Sequence, residues 1–398
     1  MSLTRLEKIL LVLVLVLVVI IVYQNFYPYL TSRHGAKETP VHAPERGKER
    51  EQAYTIMTYW EGEMFQLLNQ TAQEYAKING IKVKVVLVPY DEFFSKLYSS
   101  YNIGAAPDLF IAPHYYVREL VENGVADAID PLPEEIAESF RKAGTLGGKT
   151  YCIPVTVDSP ILLVRRDLED SLPKSIEEIV KVNNTSNDRL ILAFDVTNSY
   201  LVSGWFNALG ASFLDTDCKK TYVGGGTYVF EILQKFSENM PRSGDYIQMV
   251  EKGDAIATII TTSRLRSIQD MVKFDILEIP VIKGQKVTPY STLECIFLST
   301  TAKDGSQELA KYVAERVAEK LVNIGVIVAW SNAYTNKDEA YYKAYLVALN
   351  SEPLPPCKES VKVLIEMSEC LRNMKEQGWS VEPAVVECEK HIKDLLKG

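Results

Sequence analysis

Histidine is scarce in this chain, with four in 398 residues, and none of the six cysteines stands in a C-x-x-C pair. Structural zinc sites and thioredoxin-type redox sites need such ligands at short, fixed spacing, so neither is expected, and no cofactor is expected either. A basic surface is missing as well. With a formal net charge of -9 the chain lacks the clustered Lys and Arg that nucleic acid demands. No G-x-S-x-G, H-E-x-x-H or G-x-G-x-x-G context is present, and Gly224-Gly225-Gly226 lacks the lysine of a phosphate-binding loop.

What is abundant sits at the amino terminus. After Arg5 and Lys8 the residues from Ile9 to Tyr23 form an unbroken run of Leu, Val and Ile, which reaches spanning length if it continues through Phe26 to Leu30. Tyr23, Phe26, Tyr27 and Tyr29 would form an aromatic belt, and the basic start places the rest of the chain outside the cell. A cleavable signal peptide is the rival reading, but no A-x-A-like site follows, and no cysteine follows for lipid attachment. Residues 1–30 are therefore expected to be a retained anchor. Residues 31–53, polar and of mixed charge with Pro40 and Pro44, read as a tether.

The remainder has globular composition and enough length for two ordinary domains. Tyr54 to Trp60 alternates like a strand, Glu63 to Asn79 is an amphipathic helical pattern, and Gly80 stops it. Ile81 to Val88 predicts a strand, Asp91 to Tyr101 a helix, and Leu109 to Ala112 a third strand. Such β-α-β runs build mostly parallel sheets that bind ligands beyond the carboxyl ends of their strands. Tyr151 to Val164, interrupted by Pro154 and Pro160, reads as one sheet crossing to another. A second α/β set follows from Ser175 to Pro280, then the strand Cys295–Ser299, the helix Gln307–Val322 and three or four closing helices.

Cys370 and Cys388 fall on two of these closing helical patterns, joined at Gln377-Gly378, so an antiparallel pair could bring them together as a disulfide. N-x-[ST] sequons begin at Asn69, Asn183 and Asn184 and are compatible with an exterior location.

The order of several short stretches resembles the family of extracytoplasmic solute-binding proteins that includes the maltose- and trehalose-binding proteins. These are Gly80-Ile81-Lys82-Val83, Ala106-Pro107-Asp108-Leu109-Phe110, Gly147 to Val155, Arg166-Asp167-Leu168 with Leu172 to Ser175, Glu251 to Ala255, and Leu354-Pro355-Pro356. The likeness covers nearly everything after the tether. It implies an α/β, two-lobed periplasmic-binding-protein-like fold of type II, each lobe a mostly parallel sheet flanked by helices, preceded by the transmembrane helix. On this reading residues 54–157 plus 288–335 form one lobe and 158–287 plus 336–398 the other. Crossings near 157–160, 287–291 and 333–338 then form a hinge. The implied function is capture of a small polar ligand, a mono- or oligosaccharide, by a membrane-anchored monomer that delivers it to an ABC permease.

A sugar site combines acids and amides for hydroxyls with rings for the sugar faces. Trp60 and Glu61 end the first strand, where a doubly wound fold binds ligands, although Trp60 could instead pack under its own helix. By resemblance His114, Tyr115 and Tyr116 supply contacts from the first lobe, where maltose binders carry a charged pair in place of Tyr115 and Tyr116. Asp158 matches an acid that binds sugar hydroxyls, with capping of the hinge as its bland alternative. In the second lobe Asn198 stands where the family has an acid, and Tyr200 keeps a stacking ring. Arg264, beside Ser263, occupies a region where many members place a tryptophan; it could meet an anionic group or pair with a surface acid. Leu364 also replaces a family aromatic. Trp205 reads as core.

Rival readings keep the fold for an anion, an iron complex or a peptide, or make the ectodomain a sensor without a transporter. A glycoside hydrolase using Glu61, Asp158 and Glu294 is the enzymatic competitor.

Overall fold

The computed structural model describes residues 53–397 apart from 184, 186–188, 242–243 and 338. The expected anchor at 1–30, nearly all of the tether and the sequon at Asn184 lie outside the described residues, in which no helix is long and apolar enough to cross a membrane.

The chain opens with β1 (Ala53–Thr58), α1 (Gly62–Asn79), β2 (Lys82–Leu87), α2 (Tyr90–Asn102), β3 (Leu109–Pro113) and the short α3 (Val117–Glu122). α1 buries Leu68, Ala72 and Ala76 on one side, and Gly80 ends it in the left-handed conformation, φ 65°. β1 pairs in parallel with both β2 and β3, placing the ends of β1 and β3 side by side.

β4 (Cys152–Asp158) is the last strand of this part before the chain crosses. Ser159 separates it from β5 (Pro160–Arg165), which already belongs to a second sheet with β6 (Leu190–Leu192), β7 (Ala255–Thr261) and β8 (Phe274–Leu277). Between β6 and β7 lie α4 (Ser199–Ala208), α5 (Thr227–Ser237) and α6 (Tyr246–Lys252). After β8 the chain returns as β9 (Tyr290–Ser299), which overlaps β3 and β4 in register and so lies between them. Then come α7 (Ser306–Val322), α8 (Ala340–Ala348), the two-residue β10 (Glu352–Pro353) beside β9, α9 (Ser360–Gln377) and α10 (Val381–Leu395).

The second sheet corrects the expectation of mostly parallel strands. Its order is β8-β5-β7-β6, and only β6 and β7 run parallel, β5 being antiparallel to both its neighbours. The cause is the crossing itself. β5 enters directly from β4, so it starts at the edge where β6 and β7 finish. β9 re-enters the first sheet in the same way and is antiparallel to β3 and β4.

The second crossing lies on α4. Tyr290 N–H donates to Ser203 Oγ at 3.0 Å and Asn207 Nδ2 to the Thr288 carbonyl at 2.9 Å. Gly204 allows this approach, because a Cβ there would stand 2.6 Å from Val287 Cγ1 and 2.7 Å from Pro289 N. The opposite face of α4 buries Trp205 against Phe194 and Phe236, the core role expected of it.

The disulfide expectation is overturned. Cys218 and Cys357 are bridged, tying a loop after α4 to the segment after β10, while Cys370 and Cys388 remain buried thiols between α9 and α10. These two helices do pack, and the Cys388 thiol is pushed up by its contact with Cys370 and by burial. The sequon at Asn183 is also internal. Its amide donates to the Leu192 carbonyl and accepts from Ile191 N–H, so it bonds to the edge strand β6 rather than facing solvent.

Candidate functional site

Three groups of side chains gather at the carboxyl ends of the parallel strands and at the crossing between the sheets. In the first sheet, β1 ends at Tyr59 and Trp60, and β3 ends at His114, Tyr115 and Tyr116. Around them α2 contributes Tyr90, Phe93 and Phe94. Tyr59 meets Tyr90 and Phe93 edge-on at 4.9 and 5.1 Å between ring centroids, and Tyr116 packs on Phe94 at 4.0 Å. Into this aromatic wall β9 sends a carboxylate, Glu294, which accepts a hydrogen bond from the Tyr59 hydroxyl. Burial pushes the Glu294 carboxyl up to about 7, against the pull of the Tyr59 hydroxyl and the Trp60 indole. Among the described residues Trp60 Nε1 has no partner within hydrogen-bonding distance, yet it lies near enough to favour the charged acid. Tyr116 is raised to about 12, mainly by burial.

Two sequence candidates are corrected in this wall. His114 is fully buried: its Nδ1 accepts from Leu293 N–H at 3.1 Å and its Nε2–H meets the Leu354 carbonyl at 2.9 Å. Burial lowers it to about 4, so it is a neutral strut between β9 and the β10 segment, with no nitrogen left for a ligand. Trp60 is 4% exposed and offers no free ring face for stacking, which leaves Tyr59, Tyr90 and Tyr116 as the accessible rings. Tyr115 is nearly as buried as Trp60. Glu61 is exposed at the start of α1, where its side chain caps nothing.

At the crossing, Asp158 Oδ1 accepts from Ser263 N–H at 2.8 Å and Thr262 Oγ1–H at 3.0 Å. It therefore caps the short 3-10 helix Thr262–Ser267 that follows β7, the hinge-capping alternative raised from sequence. Burial raises its pKa despite these donors. Tyr200, on the first turn of α4, donates to the Asp158 carbonyl at 2.7 Å and also reaches Thr292, which faces Asp158 in the β4–β9 register. Asp158 and Tyr200 are thus brought together, one phenol touching both the outgoing and the returning strand.

The second sheet ends in a cavity of about 480 Å³, large enough for a small sugar, bordered by Asp195, Asn198, Asp245, Tyr246, Thr258, Thr261 and Arg264. Asn198 caps α4, its carbonyl oxygen accepting from the N–H groups of Tyr200 and Leu201. Asp245 caps α6 in the same way. Arg264 stands exposed at the rim. Asn198 and Arg264 share this cavity, whereas Glu61 and the aromatic wall belong to the first sheet. Arg266 Nη2 lies 3.3 Å from Glu63 Oε2 of α1, a contact that joins the two sides at the surface.

Residues 70–338 match the description of a bacterial extracellular solute-binding protein, well over half of the chain. The chain belongs to that family. A maltotriose-binding protein of Pyrococcus abyssi is 21% identical over 301 residues, covering 69% of this chain and 65% of its own length, so the match spans less than two thirds of that relative. Among solved structures, a cyclo/maltodextrin-binding protein complexed with maltotetraose superposes with a TM-score of 0.76 at 19% identity, covering 88% of this chain and 98% of its own. An extracellular solute-binding protein of Staphylococcus aureus in complex with maltose gives a TM-score of 0.76 at 18% identity, with 88% and 99% covered. These likenesses establish the two-lobed α/β fold of the solute-binding proteins, and the family is one of binding proteins.

Within this solute-binding protein, sequence reasoning passed over Tyr59, Tyr90, Asp195 and Asp245 as wall residues. Tyr59 had a signal, since it adjoins Trp60 at a strand end. Asp195 had one too, two residues beyond the apolar Ile191–Ala193.

Proposed function

We propose that this solute-binding protein captures an oligosaccharide between two lobes and delivers it to an ABC permease in the membrane. The lobes are residues 54–157 plus 288–335 and residues 158–287 plus 336–398, hinged on the crossings. The apolar run at 1–30 holds the protein to the membrane with its binding region outside the cell, and residues 31–53 are the tether. It works as a monomer, and capture involves no covalent step.

The observation that carries this reading is the pairing of two unlike walls at the ends of the two sheets, joined through the crossing at Asp158. One wall supplies rings and an acid, the other amides, acids and hydroxyls around a sugar-sized cavity. Contacts that need both walls exist only when the lobes are closed, so a ligand shifts the open-closed equilibrium by its differential affinity. The two neighbours described above carry maltotetraose and maltose, so maltodextrins are the first to test. Tyr59, Tyr116, Glu294, Asn198 and Arg264 are the proposed contacts, with Asp158 and Tyr200 governing closure.

A thermal-shift measurement on the full chain in a detergent without a sugar headgroup tests the proposal. Maltotriose at a hundred times its Kd is expected to add about 2.7 kcal/mol of stability. Absence of a shift with every mono- and oligosaccharide, alongside a shift with an anion or a peptide, overturns it.

A further inference from the structure

β9 carries a single carboxylate, Glu294, in an otherwise uncharged strand. The strand is paired on both sides there, with Pro113 of β3 and Thr156 of β4, so the side chain cannot escape over a sheet edge. Residues two apart on a strand share a face. Glu294 therefore points the same way as Thr292, which meets the Tyr200 hydroxyl coming from α4 of the other lobe. On the two-lobe reading that face borders the cleft, and Glu294 as a whole residue is half-buried there.

Among the described residues, the surroundings of this acid hold no counter-charge. Tyr59 and Trp60 face it from the end of β1, Tyr90 and Phe93 from α2, and His114 and Tyr115 from the end of β3. From β4 come Thr156 and, one pair further along, Asp158; its own strand adds Cys295; the other lobe brings Tyr200. His114 is neutral, and among the described residues no Lys or Arg forms an ion pair with Glu294. The Tyr59 hydroxyl donates to the acid, with the Trp60 indole nearby.

We propose that Glu294, positioned by Tyr59, is a hydroxyl-binding acid of the first-lobe wall and that it takes up a proton when a neutral sugar closes over it, so that capture is proton-linked. This rests on the sugar-capture reading above. A ligand that excludes the remaining water removes solvation from the charged form and leaves it with no cation. The protonated acid keeps the hydrogen bond from Tyr59 on one oxygen and donates through the other to a ligand oxygen. The free acid already titrates near 7 because of burial, so the linkage falls in a physiological range. Binding is then tightest below pH 7 and weakens above it, by at most about tenfold per pH unit while the free acid is ionised and the bound one is not.

The test is calorimetry of maltotriose binding to the full chain in detergent, from pH 5.5 to 8.5, in two buffers of different ionisation enthalpy. The wild type is expected to take up a proton at pH 7.5 and to lose about tenfold in affinity between pH 7 and 8.5. Glu294→Gln keeps an amide that can donate to the ligand but cannot titrate, so its affinity should be flat with pH. Tyr59→Phe should move the midpoint upward, because the charged acid loses its donor. Measurable binding with no proton uptake by the wild type, or a pH slope that survives in Glu294→Gln, overturns the proposal while leaving sugar capture standing. No maltotriose binding at any pH overturns both. The proton count on the wild type decides the matter even if a variant fails to fold.

Discussion

The two walls solve the same problem with opposite means. The first-lobe wall is aromatic, its donors phenol hydroxyls and an indole N–H, with one acid that no Lys or Arg among the described residues pairs. The second-lobe wall is polar, and its side chains are already engaged in caps: Asn198 holds the start of α4, Asp245 the start of α6, and Asp158 the turn after β7. Capping fixes these groups before any ligand arrives, so their cost of ordering is met in folding. The first wall is electrostatically unsettled, and on the proposed reading a guest changes its state. A rigid polar cradle opposed to an aromatic wall with a titrating acid would then make closure sensitive to what the guest brings to one side.

The largest expected effect comes from the link that ties the second lobe to the returning chain. The Cys218–Cys357 disulfide closes a loop of 139 residues. Replacing both cysteines by serine should cost about 2–5 kcal/mol, read as a fall in the denaturation midpoint. If the lobes differ in stability as their walls differ in character, the loss should appear in second-lobe probes such as Trp205 fluorescence before far-UV signal disappears.

Next is Glu294→Gln, which addresses the first wall. Its folded pKa is raised above the unfolded value, so the native state binds more protons than the unfolded one between about pH 4.5 and 7. Stability is therefore fully present below pH 4.5 and declines as pH rises through 7. The glutamine variant should be more stable than the wild type at pH 8, by about 2–3 kcal/mol, and equal to it near pH 4.5. Equal denaturation midpoints at both pH values would show that the acid is comfortable in its aromatic surroundings. Asp158 is raised in the same direction, so the wild-type slope should be reduced in the variant without vanishing.

How much of this was visible beforehand follows from distance along the chain. Gly80 and the break before Pro160 were legible because helix ends and strand interruptions are written in adjacent residues. Asp158 was legible as a hinge residue, but its cap requires Ser263, 105 positions away. His114 stood at a strand end as expected, while its burial depends on Leu293 and Leu354, which no local pattern announces. Cys370 and Cys388 lie on packed helices as their spacing suggested, yet the bridge joins two cysteines whose loops meet only in the folded chain. The antiparallel course of β5 followed from the crossing that the prolines had marked, and the expectation of a parallel second sheet failed to carry that crossing through.

Gly204 tests the seam between the walls. An alanine methyl there would press on Val287 and on the Pro289 backbone, and backbone yields less readily than a side-chain tip. Overpacking of this kind typically costs about 1–3 kcal/mol. Because the pressed segment is the second crossing, Gly204→Ala should also change ligand affinity without touching either wall. An unchanged denaturation midpoint and an unchanged Kd would mean that the crossing shifts freely on α4.

The smallest effect is expected at Arg266–Glu63, the ion pair spanning the two sides at the surface. Both side chains are exposed, 39% and 55%, so water and salt screen their attraction. Exposed pairs are worth about 0.2–1 kcal/mol, which corresponds to no more than roughly fivefold in the closed-to-open ratio. Arg266→Gln should weaken ligand binding by a factor in that range at low ionic strength, and the difference from wild type should shrink as salt is raised. On the proposed function the ligand walls themselves should respond weakly to salt, because a neutral sugar would meet them without forming ion pairs. A salt-independent loss in Arg266→Gln would place the arginine against the ligand rather than across from Glu63, and would shift the cationic contribution of the second wall from Arg264 to its neighbour.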